Sequence, residues 1–487
     1  MERHETEYGV LLRDSGNLAL FVPDSIRIYT LDGIPDTTPL KQVAEWLTEE
    51  MGTSPLKNGE EAVNDPLSLE RRQALLPIML GDDELKRVKI RPEINRLTLN
   101  ISNACNLWCS YCYADHGLYH APKSLMPVER ATAIVSKVLD YYGAVETVHF
   151  FGGEPLMNLA AINAVAEAFE TAVKAGRIER LPQFVATTNG TLATQKVLDT
   201  LLRWKIELTL SWDGPKDVHD AGRPMVGQGS SYDHMVMNIE RFDERQIPYG
   251  IECTYNIRHI NAGVSVIDLM DFFYEKAGKR TCHIAPASLP APVQASDSNG
   301  RQDVFRGKTL LVQHRDYVPA EYLVPFYRDA ARYTVRNMFA GSGPLLSFAS
   351  SILEQIISRR KSQVYCPAFF NQLSIGIDGA AYPCFMFIGD GNFRLGNILT
   401  DEFPTQDGAA IFRRYFRDFG LAPTGTSKWY AGLFGGCVAG EYITTSTLGV
   451  RSSAPMYEAM IEECLMGVAS YISQGAFVPE METPRLC

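Results

Sequence analysis

Between Arg96 and Pro286 the chain alternates apolar runs with segments of helical periodicity, and this order restricts the fold more than any other feature. RLTLNIS precedes PVERATAIVSKVLDYYG, ETVHFF precedes NLAAINAVAEAFETAVKAG, and QFVATT precedes the segment from Gln195 to Trp204. IELTLSWDG then precedes SYDHMVMNIERFDERQ, YGIECTY precedes NAGVSVIDLMDFFYEKAG, and RTCHIAP closes the series. Six such units predict an α/β fold with a parallel sheet and right-handed crossovers, either open and doubly wound or curled into a barrel. In both cases the chemistry sits at the carboxyl ends of the strands.

The flanking segments differ. Residues 1–95 read as a small, separate α+β unit: YGVLLR, NLALFV and IRIYT are three β-prone runs, and amphipathic segments follow from Leu40 to Met51 and from Leu67 to Met79. Residues 96–312 hold the strand and helix units and end in a Pro-, Ser- and Asp-rich linker from 287 to 312. Residues 313–364 are helical, mainly from Tyr322 to Ser358, and 365–487 carry five of the ten cysteines among many glycines, the pattern of a metal-stabilised domain.

The net charge of -11 gives no global basic field for nucleic acid or anionic lipid, so neither is an expected partner. MERHETEYGV lacks the apolar core of a signal peptide and no run is long enough to span a bilayer, so the expected location is the cytoplasm. Cysteines in short-spaced groups then read as metal ligands rather than as a disulfide framework.

The sharpest group is CNLWCSYCYADH, where Cys105, Cys109 and Cys112 follow the first core strand and His116 comes four residues later. A closed Cys3His zinc site and a three-thiolate iron-sulfur cluster with one open iron are equally compatible with this spacing. Context favours the cluster. The second strand ends in FFGGEP, where Gly152 and Gly153 let the backbone approach a ligand and Glu154 adds a carboxylate; the third ends in TTNGT and the fourth in SWDGPKDVHDAGR. Polar residues at successive strand ends define one pocket. Glu154, Asp213 and Glu252 are its unranked candidates for a general base, while His116, His219 and His283 read more simply as hydrogen-bonded histidines.

With CxxxCxxC followed by GGEP, residues 96–487 resemble the radical SAM superfamily, specifically its branch with a cysteine-rich SPASM or twitch domain. The resemblance implies a partial (β/α)6 TIM-like barrel in which Cys105, Cys109 and Cys112 bind a 4Fe-4S cluster whose open iron chelates S-adenosylmethionine. It implies that Tyr111 borders the adenine, that Gly152, Gly153, Glu154 and Pro155 meet the methionine amino group, and that Asn189, Ser211, Asp213 and Arg223 face the ribose or carboxylate. Reductive cleavage would then give a 5′-deoxyadenosyl radical that abstracts hydrogen from an unactivated carbon.

In the last segment Cys366, Gly379 and Cys384 match the C-x12-G-x4-C opening of a SPASM domain. The later block departs from the family pattern: Thr424, Ser427 and Leu433 stand where cysteines are usual, and Cys437 alone remains. The resemblance therefore implies at least one auxiliary 4Fe-4S cluster, on Cys366, Cys384 and Cys437, with Cys464, the substrate or a non-cysteine group as the fourth ligand. Cys464 also reads as a buried structural thiol, Cys253 and Cys282 as core residues, and Cys487 as the end of the chain.

The N-terminal unit is similar in outline to the winged-helix element by which peptide maturases capture a leader peptide through strand addition. Together these likenesses imply a peptide or small-protein substrate, a flavodoxin or ferredoxin as electron donor, and a thioether crosslink between a cysteine sulfur and a carbon. The layout is similar to maturases of the kind that crosslink the small subunit of quinohemoprotein amine dehydrogenase. Formylglycine-type sulfatase maturation and carbon-carbon crosslinking of a cofactor precursor are alternatives within the superfamily. A non-catalytic metal-binding or electron-transfer protein is the alternative outside it.

Overall fold

The computed structural model describes residues 1–6, 9–14, 17–22, 26–31, 34–45, 93–287, 316–359, 372–400 and 454–474, with residues 368, 403, 430, 433, 437, 439 and 440. The segment from Leu67 to Met79, nearly all of the 287–312 linker, Cys366 and Cys487 lie outside these residues.

The expected alternation forms. An N-terminal sheet of β1 (Glu2–Glu5), β2 (Val10–Asp14), β3 (Asn17–Val22) and β4 (Arg27–Thr30) precedes the core strand β5 (Glu93–Asn103), with β6 (Ser124–Leu125) pairing antiparallel at its end. There follow α1 (Val128–Tyr142), β7 (Ala144–Gly152), α2 (Leu159–Lys174), β8 (Gln183–Thr188), α3 (Gln195–Trp204), β9 (Glu207–Ser211), α4 (Lys216–Gly222) and α5 (Ser231–Glu244). β10 (Tyr249–Tyr255), α6 (Ile257–Asn261), α7 (Val266–Ala277) and β11 (Thr281–Pro286) complete the repeat. Local signals set the helix ends: Asn158 and Thr194 accept N-terminal amide hydrogens of α2 and α3, and Gly278 takes the left-handed conformation that closes α7.

β5, β7, β8, β9, β10 and β11 lie side by side and parallel, in that order. Their faces are unlike. Leu97, Leu99, Val148, Phe150, Phe184, Leu208, Leu210, Ile251, Cys253, Cys282 and Ile284 pack into the same core as the helices. The alternate residues are Thr98 and Asn100 on β5, His149 on β7, Thr187 on β8, Thr209 and Ser211 on β9, Glu252 and Thr254 on β10, and His283 on β11. Among the described residues the helices between the strands pack on the apolar face, as in a curled barrel wall; a doubly wound sheet would carry such helices on both. Each apolar side chain buried this way contributes about 1.5–3 kcal/mol.

α8 (Ala320–Phe339) and α9 (Ser347–Ser358) supply the expected helices, separated by Gly341 and Gly343 with positive φ and by the short strand β12 (Leu345–Leu346), which adds beside β11. At the other edge β13 (Gln372–Ile375) pairs parallel with β5, Gln372 opposite Arg96, and β14 (Ala380–Tyr382) and β15 (Gly396–Asn397) continue antiparallel. The first strand after the helical linker is thus part of the core sheet, joined at its start.

The N-terminal unit also differs from expectation. Among the described residues it has four strands, because the charged stretch ERHE pairs as an edge through its backbone without an apolar face. Nor does it stand apart: Leu11, Leu18 and Leu20 pack on Leu40, Val43 and Ala44, but Val10, Leu12, Ala19 and Phe21 join the main core. Apolar residues on both faces of β2 and β3 need cover twice, and α10 (Ala454–Ser473) gives the second cover. Arg3 ties the edge strand to that helix through Glu458 and Glu462 at 2.9 and 3.0 Å.

Candidate active site

β5 runs directly into the loop of Cys105, Cys109 and Cys112. A backbone ladder holds one side of it: Trp108 N–H donates to the Pro224 carbonyl at 2.8 Å, Ser110 N–H to Gly222 at 3.0 Å, and Val226 N–H to Asn106 at 2.9 Å. Beyond Cys112 the chain turns through Asp115, His116, Gly117, Tyr119 and His120, all with positive φ. Turns of this kind aim successive N–H groups inward, and those of Ala114, His116 and Gly117 face the Cys112 sulfur. The Cys105 sulfur accepts from Leu107 N–H at 3.4 Å and lies 3.8 Å from Asn189 Nδ2.

Burial pushes all three thiols up, Cys105 to about 12, and for Cys105 and Cys109 the neighbouring thiols add to the rise. Thiols so placed ionise when a metal replaces the proton. Among the described residues no three His, Cys, Asp or Glu side chains close on a point fit for one metal ion. The His116 ring stacks instead on Trp108, centroids 3.8 Å apart. A Cys3His zinc site, which needs four donors about 2.3 Å or less from one centre, is not built here; thiols around a cluster bind one iron each.

The GGEP segment meets this loop edge-on. A Cβ on Gly152, where φ is +139, would lie 2.5 Å from the Ser102 carbonyl oxygen, and one on Gly153 only 2.3 Å from that of Ala104. Gly153 N–H donates to Ser102 at 2.7 Å and Glu154 N–H to Ala104 at 2.8 Å. The close approach that the glycines permit is therefore between strand end and cluster loop. Pro155 opens a single helical turn capped by Glu154. Glu154 is fully buried: one carboxylate oxygen accepts from Leu156 N–H at 3.0 Å and the Thr188 hydroxyl at 2.8 Å, the other from Asn189 N–H at 2.9 Å. Burial outweighs these bonds and pushes its carboxyl up to about 7. The Asn189 side chain in turn donates to Asn106 at 2.9 Å and accepts twice from Thr191.

Asp213 and Arg223, expected to face a ligand, are bonded to one another within the protein. Asp213, fully buried, accepts from Arg223 Nη2 at 3.1 Å, from Thr254 N–H at 3.1 Å and from the Tyr111 hydroxyl. The Arg223 guanidinium lies 5.3 Å from the centre of the Tyr111 ring. Burial alone would raise the Asp213 carboxyl, but Arg223 and His219 hold it below its ordinary value. Tyr111, expected at the adenine, thus locks the cluster loop to the ends of β9 and β10. Ser211 differs: it stands in one cross-strand row with Glu252 and His283 on the open, partly exposed face of the sheet.

Residues 99–260, which contain this whole arrangement, match the family described as the Radical SAM superfamily. The chain carries a radical SAM domain. It is 22% identical over 377 residues to the cysteine-type anaerobic sulfatase-maturating enzyme of Clostridium perfringens, covering 71% of this chain and 89% of that enzyme. Over 149 residues it is 27% identical to the radical SAM cyclopropyl synthase TigE of Paramaledivibacter caminithermalis, covering 28% of this chain and 30% of that one. In three dimensions it is similar to native anSMEcpe with bound AdoMet, at a TM-score of 0.59 and 21% identity, covering 77% of this chain and 99% of that one.

S-adenosylmethionine and a 4Fe-4S cluster are the cofactors of a radical SAM domain. The donor set fits the cluster: Cys105, Cys109 and Cys112 would hold it, with backbone N–H groups on Cys112, Asn189 beside Cys105 and the Arg223 charge beside Cys109 offsetting negative sulfur.

The radical SAM domain is walled on one side by the C-terminal segment. Cys384 packs in an apolar cluster with Tyr119, Ala114, Ala368 and Ala439, and Cys112 and Tyr113 lie against it. Ala439 follows Cys437 by two residues, so the chain beside Cys384 and Cys437 meets there, together with Ala368. Cys437 is exposed, its sulfur 3.3 Å from Gly440 N. Leu433, at a usual cysteine position, is fully buried in the main core. Cys464 is fully buried too, its thiol directed at the Ala349 carbonyl 3.9 Å away, the surroundings of a structural cysteine. No helix among the described residues is long and apolar enough to cross a membrane.

Proposed function

We propose that this protein is a radical SAM enzyme acting on a peptide or protein side chain, with a thioether between a cysteine sulfur and a carbon as its product. The observation that carries the reading is the apolar cluster joining Cys384 and the neighbours of Cys366 and Cys437 to Cys112. It supports an auxiliary cluster held by these three cysteines across a thin wall from the radical-generating site. Such a cluster would take up the electron released when the substrate carbon and sulfur join, and a small flavodoxin or ferredoxin would supply the electron for S-adenosylmethionine cleavage. Residues 1–45 would offer the substrate a sheet edge.

A second reading, formylglycine formation on a sulfatase, draws on the similarity to a sulfatase-maturating enzyme over 89% of that enzyme's length. Leu433 in the core counts against it, because the second half of the usual cysteine set is missing.

Anaerobic reconstitution, reduction and addition of S-adenosylmethionine test both readings. The protein is incubated with peptides encoded beside its gene and with a sulfatase-derived cysteine peptide, and the products are weighed. Loss of two hydrogens with sulfur retained supports the crosslink; loss of two hydrogens together with replacement of sulfur by oxygen supports the aldehyde. Failure to form 5′-deoxyadenosine would end both.

A further inference from the structure

Both readings above remove the same three things from the substrate: a hydrogen atom, a proton and an electron. The hydrogen atom goes to the 5′-deoxyadenosyl carbon and the electron to an iron-sulfur acceptor. The proton needs a group that is unprotonated at working pH, faces the open side of the sheet and is not already committed.

The structure sorts the candidates. Glu154 and Asp213 are fully buried and each accepts three hydrogen bonds from its own surroundings. His219 and His259 are fully buried, accepting from the backbone N–H groups of Asp213 and Asn256. His149 lies farther down the sheet, bonded to Thr187, and His116 is stacked on Trp108. Among the described residues of the sheet's polar face, Glu252 and His283 remain. They are cross-strand neighbours on β10 and β11, both partly exposed, in the row that also contains Ser211. Resting on the functional reading, we propose that His283, backed by Glu252, is the base that takes the proton released as the substrate is oxidised.

Geometry sets the roles. His283 Nδ1 meets the Ser347 hydroxyl at 2.9 Å, which fixes the ring; in the tautomer whose Nδ1–H donates to that hydroxyl, Nε2 carries the free lone pair, and this tautomer is the base. The Phe348 ring, centroid 4.6 Å away, walls one side. Among the described residues the charge acting on the imidazole is that of Glu252. Burial lowers the imidazole below its ordinary value while Glu252 draws it back, so the ring is neutral before turnover and its cation has a carboxylate neighbour afterwards. In the crosslinking case the S–H bond breaks to Nε2, the C–H bond breaks to the adenosyl carbon, the C–S bond forms, and one electron leaves to the iron-sulfur acceptor. The aldehyde route begins with the same proton transfer from the thiol.

The experiment uses reconstituted full-length enzyme, S-adenosylmethionine and the peptide that the wild-type protein modifies, with His283→Gln and Glu252→Gln as variants. In His283→Gln the ratio of 5′-deoxyadenosine to modified peptide should rise about 10²–10⁴-fold, the usual share of a general base. Modification by wild type should increase with pH to a plateau; Glu252→Gln should shift that inflection to lower pH, and His283→Gln should abolish it. An unchanged ratio and pH profile in His283→Gln overturn the assignment. So does parallel loss of cleavage and modification, which would make the pair a binding site for S-adenosylmethionine. If the wild type forms 5′-deoxyadenosine yet leaves every peptide unchanged, the functional reading fails and takes the assignment with it.

Discussion

Replacing Asp213 with Asn separates a structural carboxylate from a ligand-binding one. The carboxylate is fully buried and receives only donors: Arg223 Nη2 and Thr254 N–H at 3.1 Å, and the Tyr111 hydroxyl. Asparagine keeps one acceptor, turns an NH2 group toward donors, and leaves the buried Arg223 charge uncompensated. Breaking one side of a buried pair costs about 3–5 kcal/mol, a factor of roughly 10²–10³·⁵ in the unfolding constant. Urea unfolding of the cluster-free protein reads this loss through Trp212, which is buried beside Asp213. The pH dependence has a definite sign. Because the folded carboxyl is held below its ordinary value, its stabilisation is complete above about pH 4 and disappears as pH falls through the lower folded value. The gap between wild type and Asp213→Asn should therefore close in acid. If Asp213→Asn unfolds within about 1 kcal/mol of wild type, a neutral result on this scale, while losing affinity for S-adenosylmethionine, the carboxylate faces the ligand and the reasoning is wrong.

Three other outcomes follow from the same geometry. Gly153→Ala brings a Cβ within 2.3 Å of the Ala104 carbonyl oxygen, so strand end and cluster loop must part at about 1–3 kcal/mol; iron and sulfide at the three-thiol site should fall, and full loading refutes the packing role. Cys384→Ala and Cys437→Ala should each lower total iron, whereas Cys464→Ala should leave it unchanged; the reverse pattern would move the auxiliary site onto α10. The buried Glu154 carboxyl, at about 7 when folded, contributes stability that is complete below about pH 4 and is lost as pH rises toward 7. Cluster-free wild type should therefore weaken relative to Glu154→Gln by about 3 kcal/mol across that window, and a flat difference between their urea midpoints would contradict it.

The core strands were legible because each buries one face against helices, which writes alternation into runs such as IELTLS and YGIECTY. β1 was not, since an edge strand made of ERHE pairs through its backbone and needs no apolar period. The partnership of β13 with β5 leaves no local trace, because its two members are separated by most of the chain. At the site, the three cysteines and GGEP were readable as a unit. The pairing of Asp213 with Arg223 was not readable, because a polar residue at a strand end looks alike whether it meets a ligand or an arginine ten residues later. Leu433 announced a lost ligand in the sequence, and its burial gives the reason: the position now belongs to the core.

The pairing of Arg96 on β5 with Gln372 on β13 bears on how the protein is made. Ribosomes deliver the N-terminal part of a chain first, and contacts between distant residues form late. When β5, β7 and their neighbours have emerged, the loop of Cys105, Cys109 and Cys112 still lacks the wall that Tyr382, Cys384 and Phe387 will supply. The nascent chain thus presents all three thiols before the segment that packs against Cys112 has been made, so the cluster loop takes its final packing only when the chain is nearly complete.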